Sequence, residues 1–218
     1  MFAEYSPYWQ KTLNWELNQD QDISFQKVYD LVIEGNKTQN LTRIVTPPDF
    51  WEKHIWDSLR GVLPIWRQQN LKVIDIGTGA GFPGIPVAIA HPTWQLTLLD
   101  STLKKTAFID HVCEVMSLSN VKSLTGRAEQ LHHLSSHRQN YDAVLVRAVG
   151  NADLCTQYSI PFLKKGGVII LYRGQWSGAE QISLEHTCKS LRAKITYLDQ
   201  FLTPLSLSMR NCIHISLI

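Results

Sequence analysis

Val73-Ile74-Asp75-Ile76-Gly77-Thr78-Gly79-Ala80-Gly81-Phe82-Pro83-Gly84 decides how this 218-residue chain is read. An apolar run ends in a loop with glycines at 77, 79, 81 and 84, and an acid, Asp75, stands two places before the first of them. Glycine lacks Cβ, so it accepts positive φ and lets backbone come close to a ligand. The helix that follows such a loop points free N–H groups at whatever sits there. The stretch therefore predicts a strand, a ligand-approaching loop and a helix.

Two occupants fit that loop. Gly79-x-Gly81-x-x-Gly84 is formally a dinucleotide fingerprint, with Asp100 at about the offset of a ribose-binding acid. Asp75-x-Gly77-x-Gly79-x-Gly81 is the pattern of S-adenosylmethionine (SAM) methyltransferases. An acid inside the first strand does nothing for a pyrophosphate but is favourable beside a sulfonium and an α-ammonium group. Pro83 and Pro86 also interrupt the residues that would form the dinucleotide helix, since proline is tolerated only in a first turn. The loop also begins only after a long N-terminal segment. These details favour SAM over NAD.

Outward from the loop, strand and helix patterns alternate. Strands are predicted at Leu71–Ile76, Gln95–Asp100, Val121–Leu124, Tyr141–Arg147 and Val168–Arg173, the last after a Lys164-Lys165-Gly166-Gly167 turn. Helices are predicted at about 85–91, 103–117, 127–134, 151–164 and 177–192. Such alternation gives a parallel sheet with helices on both faces. The end departs from it: Lys194–Phe201 and Asn211–Ile218 alternate apolar and polar residues with no helix between, which predicts an antiparallel hairpin. The expected fold is α/β, a class I SAM-methyltransferase (Rossmann-like) sheet, mostly parallel with a C-terminal antiparallel hairpin, plus an N-terminal helical extension. We divide the chain into an N-terminal helical cap, 1–70, and a methyltransferase domain, 71–218. Within the cap, residues 7–36 form two helical segments, the second ending at Gly35. Asn40-Leu-Thr-Arg-Ile is a linker, and Pro47-Pro48-Asp49 starts a third helix over about 49–69.

Hydrophobic content of 44% and charged content of 18% describe a soluble globular protein. No apolar stretch approaches a membrane span, and the N-terminus lacks a signal-peptide pattern. Four scattered cysteines without a Cys-x-x-Cys pair predict buried thiols in a reduced, cytoplasmic protein. We expect no metal, and read His132, His133 and His137 as solvated. Residues 1–70 carry 7 Lys and Arg against 9 Asp and Glu, whereas 71–218 carry 14 against 10, a basic bias suited to a polyanion or to ordinary surface charge.

Ligands of open α/β sheets sit beyond the carboxyl ends of the strands, beside the first. Gly77 to Gly84, Asp100 to Thr102, Gly126 to Glu129, Arg147 and Arg173 to Gly174 land there. Asp100 is the best side chain for a ribose, because a carboxylate accepts from both hydroxyls; its other reading is a cap on the next helix.

These residues resemble the RsmG (GidB) family, bacterial methyltransferases acting on guanine N7 in 16S ribosomal RNA. The resemblance is carried by Asp75-Ile-Gly-Thr-Gly-Ala-Gly-Phe-Pro-Gly-Ile-Pro, Leu99-Asp-Ser, Asn40-Leu-Thr and Lys53-His-Ile-Trp-Asp-Ser-Leu. Gly126-Arg-Ala-Glu, Val146-Arg-Ala and Arg173-Gly-Gln extend it over about residues 25–216. It implies that Gly77 and Phe82 contact the cofactor's methionine end, that Gly79 also binds the cofactor, that Asp100, Ser101 and Thr102 hold the ribose, and that Ala128 and Glu129 bind the adenine. It sets Arg147 beside the cofactor or the target base. The family has Trp-Asn-Lys where this chain has Gly35-Asn-Lys, and Lys-Gly where it has Arg173-Gly174. Arginine keeps the charge of an RNA contact but changes its geometry.

Guanine N7 exposes an unprotonated lone pair and needs no general base. Alignment of N7 with the methyl–sulfur bond should carry the reaction, a contribution of up to about 7–11 kcal/mol. The absence of an Asp/Asn-Pro-Pro-Tyr or Pro-Cys motif after the fourth strand speaks against adenine amine or cytosine C5 chemistry. Arg147 is the catalytic candidate; the methionine carboxylate, an RNA phosphate and guanine O6 are its candidate partners, and an ion pair with Asp142 or Glu129 is its structural reading. His54, Asp57 and Ser58 share a helical face; they line the RNA entrance or an interface between cap and sheet. Trp51, Trp56 and Trp66 either stack a base or, as we expect, pack between helices. The expected partner is 16S rRNA or the small ribosomal subunit, the expected state a monomer. A small-molecule methyltransferase, a non-catalytic SAM-binding assembly factor and an NAD dehydrogenase are the alternatives.

Overall fold

The computed structural model describes residues 2–218. The cap starts with a 3-10 turn, Phe2–Tyr5, followed by α1 (Ser6–Leu13) and α2 (Gln19–Asn36). A capping box starts α2: Asn18 accepts from the Gln21 N–H at 2.9 Å and Gln21 accepts from the Asn18 N–H at 3.2 Å. Gly35 stays inside the last turn instead of terminating it. A Cβ there would lie 2.6 Å from the Phe108 ring, so this glycine serves close helix packing and not a left-handed cap.

The expected third helix is broken into pieces. Pro47–Phe50 forms α3, Trp51–Trp56 a π-helical turn, Asp57–Gly61 α4 and Leu63–Ile65 a 3-10 turn. The alternating part then runs β1 (Lys72–Ile76), α5 (Gly84–Ala90), β2 (Gln95–Asp100), α6 (Leu103–Met116) and β3 (Val121–Thr125). It continues with α7 (Ala128–Leu131), β4 (Tyr141–Arg147), α8 (Ala152–Ser159) and β5 (Leu163–Arg173). After α9 (Gly178–Ser190), the hairpin of β6 (Ala193–Leu202) and β7 (Met209–Leu217) closes the chain.

The sheet order is β3-β2-β1-β4-β5-β7-β6. The first five strands are parallel and β7 is antiparallel to both its neighbours, as the terminal alternation predicts. The chain reverses direction across the sheet between β1 and β4, which opens a crevice above Ile76. β5 starts five residues before the predicted Val168. The Lys164–Gly167 turn is absorbed as a register shift opposite Tyr141 and Ala143, with Gly166 at φ +83°.

One face of the sheet is covered by the cap together with α5 and α6. Phe2, Trp9, Phe25, Trp51 and Trp56 join Val73, Leu98, Leu145 and Ile170 in one continuous apolar cluster. Trp51 and Trp56 are fully buried, and Trp51 packs at 5.0 Å from Trp9 and 4.7 Å from Tyr5, so both serve packing and neither is open to a base. The opposite face packs Ile74, Val144 and Ile213 against residues of α8 and α9 such as Cys155 and Leu184. Cys155, Cys188 and Cys212 are buried free thiols, and Cys113 is half-buried. Contrary to expectation His137 is buried, its Nδ1 2.8 Å from the Tyr141 hydroxyl; that partner relieves the desolvation of the ring. Among the described residues no helix is long and apolar enough to cross a membrane.

Candidate functional site

Three loops meet at Asp100. The Gly77 and Thr78 N–H groups donate to Leu99 O at 2.8 and 3.0 Å, pinning the glycine loop to the end of β2. One Asp100 carboxylate oxygen accepts from the Gly79 N–H at 3.0 Å and the other from the Thr102 N–H at 2.9 Å. The Asp100 carbonyl accepts from the Gly126 N–H at 3.0 Å, bringing in the loop after β3. The oxygen bonded by Thr102 keeps a second lone pair for a ligand, while the one bonded by Gly79 also faces Lys105 Nζ at 3.6 Å. Gly77, Gly79 and Gly81 have φ of +71°, +62° and +96°, and a Cβ on Gly79 would meet no atom within 4 Å. That loop needs glycine for its conformation, and at Gly79 it faces open space.

Asp75 is buried beneath the loop. One oxygen accepts from Thr78 Oγ1 at 2.7 Å and from the Gly84 N–H at 2.9 Å, while the other is buried with no partner. Burial pushes the acid up to about 6 against the pull of those two hydrogen bonds. A carboxylate kept half-satisfied in this way favours a nearby cation. A cavity of about 230 Å³ opens beside the loop. Its floor is Ile76, Gly77 and Leu99; Asp100 and Ser101 are on one side, Ala128 and Glu129 on another, and Val149, Leu154 and Tyr158 close it. The floor and far wall suit a flat apolar ring, and Asp100 a pair of hydroxyls.

A second cluster lies where the cap meets the sheet. In the π-helical turn the Asp57 N–H reaches Glu52 O, five residues back, where an α-helix would take it to Lys53 O. The Lys53 carbonyl instead accepts from Arg147 Nη1 at 2.9 Å. The same guanidinium nitrogen lies 3.4 Å from Asp57 Oδ2 and 3.5 Å from Ser58 Oγ, and Nη2 lies 3.3 Å from His54 Nδ1. Arg147 ends β4, and Ala148 after it sits at φ +58°, a left-handed turn that leads the chain away from the sheet. His54 stacks on Phe82 of the glycine loop with ring centroids 4.4 Å apart and planes at 8°. Burial, aided by the Arg147 and Lys53 charges, pushes the His54 imidazole down to about 2, so it is neutral. Burial also raises the Asp57 acid, against the attraction of Arg147.

The residues expected to act fall into these two groups. Gly77, Asp100, Ser101, Ala128 and Glu129 line the cavity, while Thr102 is exposed and contributes its backbone N–H to Asp100. Phe82, His54, Asp57, Ser58 and Arg147 form the second group, and the ion pair of Arg147 is with Asp57, not with Asp142 or Glu129. Arg173 donates to Gly150 O at 2.6 Å and lies 3.5 Å from Glu180, so it clamps the loop after β4. Thr42, Val149, Tyr158 and Tyr172 were not anticipated. Leu154 and Tyr158 are four apart on α8, a helical spacing that was legible; Thr42, whose Oγ1 lies 2.8 Å from His54 Nε2, was visible only as part of Asn40-Leu-Thr.

Comparison with known proteins sets this geometry in a context. Residues 21–209 match the GidB family, described as rRNA small subunit methyltransferase G. A protein named Ribosomal RNA small subunit methyltransferase G from Microcystis aeruginosa is 50% identical over 222 residues, covering 99% of each chain. One of the same name from Trichormus variabilis is 47% identical over 99% of this chain and 90% of its own. Among solved structures, the O-methyltransferase from Bacillus cereus in complex with SAH has a TM-score of 0.66 at 15% identity, covering 99% of this chain and 97% of that one. M. jannaschii TYW2 in complex with AdoMet has a TM-score of 0.56 at 14% identity over 73% and 77%. Likenesses this distant speak for the fold alone.

Proposed function

The chain belongs to the GidB family, rRNA small subunit methyltransferase G, and from that premise we propose that it methylates N7 of a guanine in 16S ribosomal RNA. It is a SAM-dependent rRNA methyltransferase of the class I fold. The finer reading adds the guanine, the atom and the residues. The guanine and its N7 rest on the family, and the observation that carries the cofactor residues is the convergence of three loops on Asp100 beside a glycine loop with an unpartnered, buried Asp75 oxygen beneath it. A cationic cofactor with a ribose suits both acids.

When bound, SAM supplies an electrophilic methyl group on a sulfonium. We assign Asp100 to the ribose hydroxyls, with Ser101 and the Thr102 backbone beside it, and Ala128 and Glu129 to the adenine. Gly77, Gly79 and Phe82 are assigned to the methionine end. Arg147 is our catalytic candidate: held by Lys53 O and Asp57, it presents fixed positive charge next to Phe82. Asp57 and Ser58 support it from the cap side of the RNA entrance, and Arg173 is a candidate phosphate contact beyond them. N7 carries a free lone pair and no proton, so no residue has to act as a general base. That agrees with a site whose nearest imidazole, His54, is too weak a base to take a proton, being held down to about 2, and has both nitrogens engaged. The protein's contribution is then alignment of N7 and a preorganised field for charge passing to the base. In this reading residues 1–70 cap the methyltransferase domain 71–218 and border the RNA entrance, and a cytoplasmic monomer acts on the small subunit or its RNA.

Mass mapping of N7-methylguanine in 16S rRNA, from cells with and without the protein, tests the reading. One N7-methylguanine should disappear with the protein and return with its gene. An unchanged rRNA pattern overturns it.

A further inference from the structure

Thr42 lies outside the cavity, in the loop between α2 and α3, yet it touches the site through one ring. Its backbone N–H and that of Leu41 donate to Asn36 Oδ1 at 3.1 and 2.9 Å, and Asn36 Nδ2 donates back to Thr42 O at 2.8 Å. Thr42 Oγ1 accepts from the Ile44 N–H at 3.0 Å and lies 2.8 Å from His54 Nε2. The direction of the next bonds follows from donor chemistry. A guanidinium only donates, so His54 Nδ1 accepts from Arg147 and the ring proton sits on Nε2, directed at Thr42 Oγ1.

Phe82 stacks on the His54 face and Phe50 packs edge-on at 5.0 Å. These contacts fix the plane of the ring but not which edge faces Arg147, because a half-turn flip about Cβ–Cγ leaves the plane unchanged. Thr42 selects the flip that brings Nε2 to its hydroxyl, and with it the direction of the Nδ1 lone pair. Arg147 Nη1 has one short bond, to Lys53 O, and approaches of 3.4 and 3.5 Å to Asp57 and Ser58, whereas Nη2 is engaged by His54 at 3.3 Å, so His54 orients the second amino group. A phenylalanine at 54 would fill the same space against Phe82 without the cost of burying a polar ring. The polar ring therefore points to a requirement for orientation.

We propose that Thr42 and His54 are positioning residues for methyl transfer: the hooked loop holds Thr42, Thr42 selects the flip of the His54 ring whose tautomer Arg147 fixes, and His54 aligns Arg147 and the glycine-loop residue Phe82 together. This rests on the assignment of Arg147 and Phe82 to the transfer site. It gives His54 a role through its neighbours in place of direct contact with RNA.

Three variants test it: Thr42→Val, which removes the hydroxyl; Thr42→Ser, which restores it; and His54→Phe, which keeps the stack and removes both hydrogen bonds. The first readout is the 15N NMR signal of the Arg147 guanidinium, assigned with Arg147→Lys. Resolved amino-group signals are expected in wild type and Thr42→Ser, and averaged ones in Thr42→Val and His54→Phe. The second is single-turnover methyl transfer to small-subunit rRNA at saturating SAM, where Thr42→Val and His54→Phe should be slower by about tenfold at unchanged RNA affinity, with Thr42→Ser near wild type. An ordered Arg147 in Thr42→Val, an equal loss in Thr42→Ser, or weakened RNA binding at an unchanged rate overturns the proposal. If wild-type protein transfers no methyl to rRNA, the N7 reading fails, and the NMR arm alone still decides the relay. Should His54→Phe not fold, Thr42→Val carries both readouts.

Discussion

Asp100 is a structural tie and, in our reading, the ribose ligand at once. Asp100→Ala removes a charged acceptor from both ribose hydroxyls, a loss of about 3 kcal/mol and hence roughly 100-fold in SAM affinity, measurable by titration calorimetry. The circular dichroism of the fold should persist, and retained affinity would mean that the ribose is held elsewhere. Gly61 is a residue of a different kind. A Cβ there would lie 2.3 Å from the Tyr172 ring, whose hydroxyl donates to Ser58 O at 2.8 Å. Gly61→Ala should cost about 1–3 kcal/mol by overpacking, read as a lowered midpoint of thermal unfolding; an unchanged midpoint would show that α4 and β5 separate freely. Asp100 and the glycines were legible in the sequence because their chemistry depends on spacing within one loop. The unpartnered oxygen of Asp75 was not, since it follows from what surrounds the carboxyl group in space.

Between residues and the whole stands the segment from Trp51 to Gly61, where a π-helical turn joins α4. Its widened turn leaves Lys53 O for Arg147 and turns Glu52 the other way, into the loop between β6 and β7. Glu52 is buried and accepts from the Leu205 and Ser206 N–H groups and from the Ser206 hydroxyl. Glu52→Ala would leave two backbone donors unpaired, at a cost of about 2–4 kcal/mol. Hydrogen exchange at Leu205 and Ser206 should then accelerate ahead of the sheet, and unchanged protection there would show that the loop holds itself. β1, β2 and β4 were readable as short apolar runs, and the hairpin as two alternating ones. The π-helical turn was not readable, because Trp51–Gly61 has ordinary helical periodicity and only its neighbours on both sides select the wider turn. The early start of β5 was hidden for a related reason: a register shift exists only against a partner strand.

Across the molecule, four buried imidazoles, His54, His91, His137 and His214, make stability depend on pH. Burial is the leading cause for each, holding His54 down to about 2 and His91 and His214 down to about 4. Below the ordinary histidine value of about 6.5 the unfolded chain takes up protons that the folded one refuses, so each such group costs stability as pH falls, by roughly 1 kcal/mol per pH unit. Asp75, raised to about 6, works the other way between about 6 and 4, as does the raised Asp57. The thermal midpoint should therefore decline from pH 7 to pH 5. His214, 2% exposed with Nε2 unpartnered, is the clearest contributor, and His214→Leu should flatten the decline; an identical slope would assign it elsewhere. The sequence by itself determined the glycine loop, the alternating strands, the closing hairpin and the family they belong to, because each is written in spacings of a few residues along one chain. Only the tertiary structure decided that Arg147 bonds Lys53 O, that His54, 93 positions away from Arg147, is a neutral acceptor, and that Asp75 lacks a partner. Burial, tautomer and the satisfaction of a polar atom are set by neighbours that folding brings together, and spacing along the chain carries no record of them.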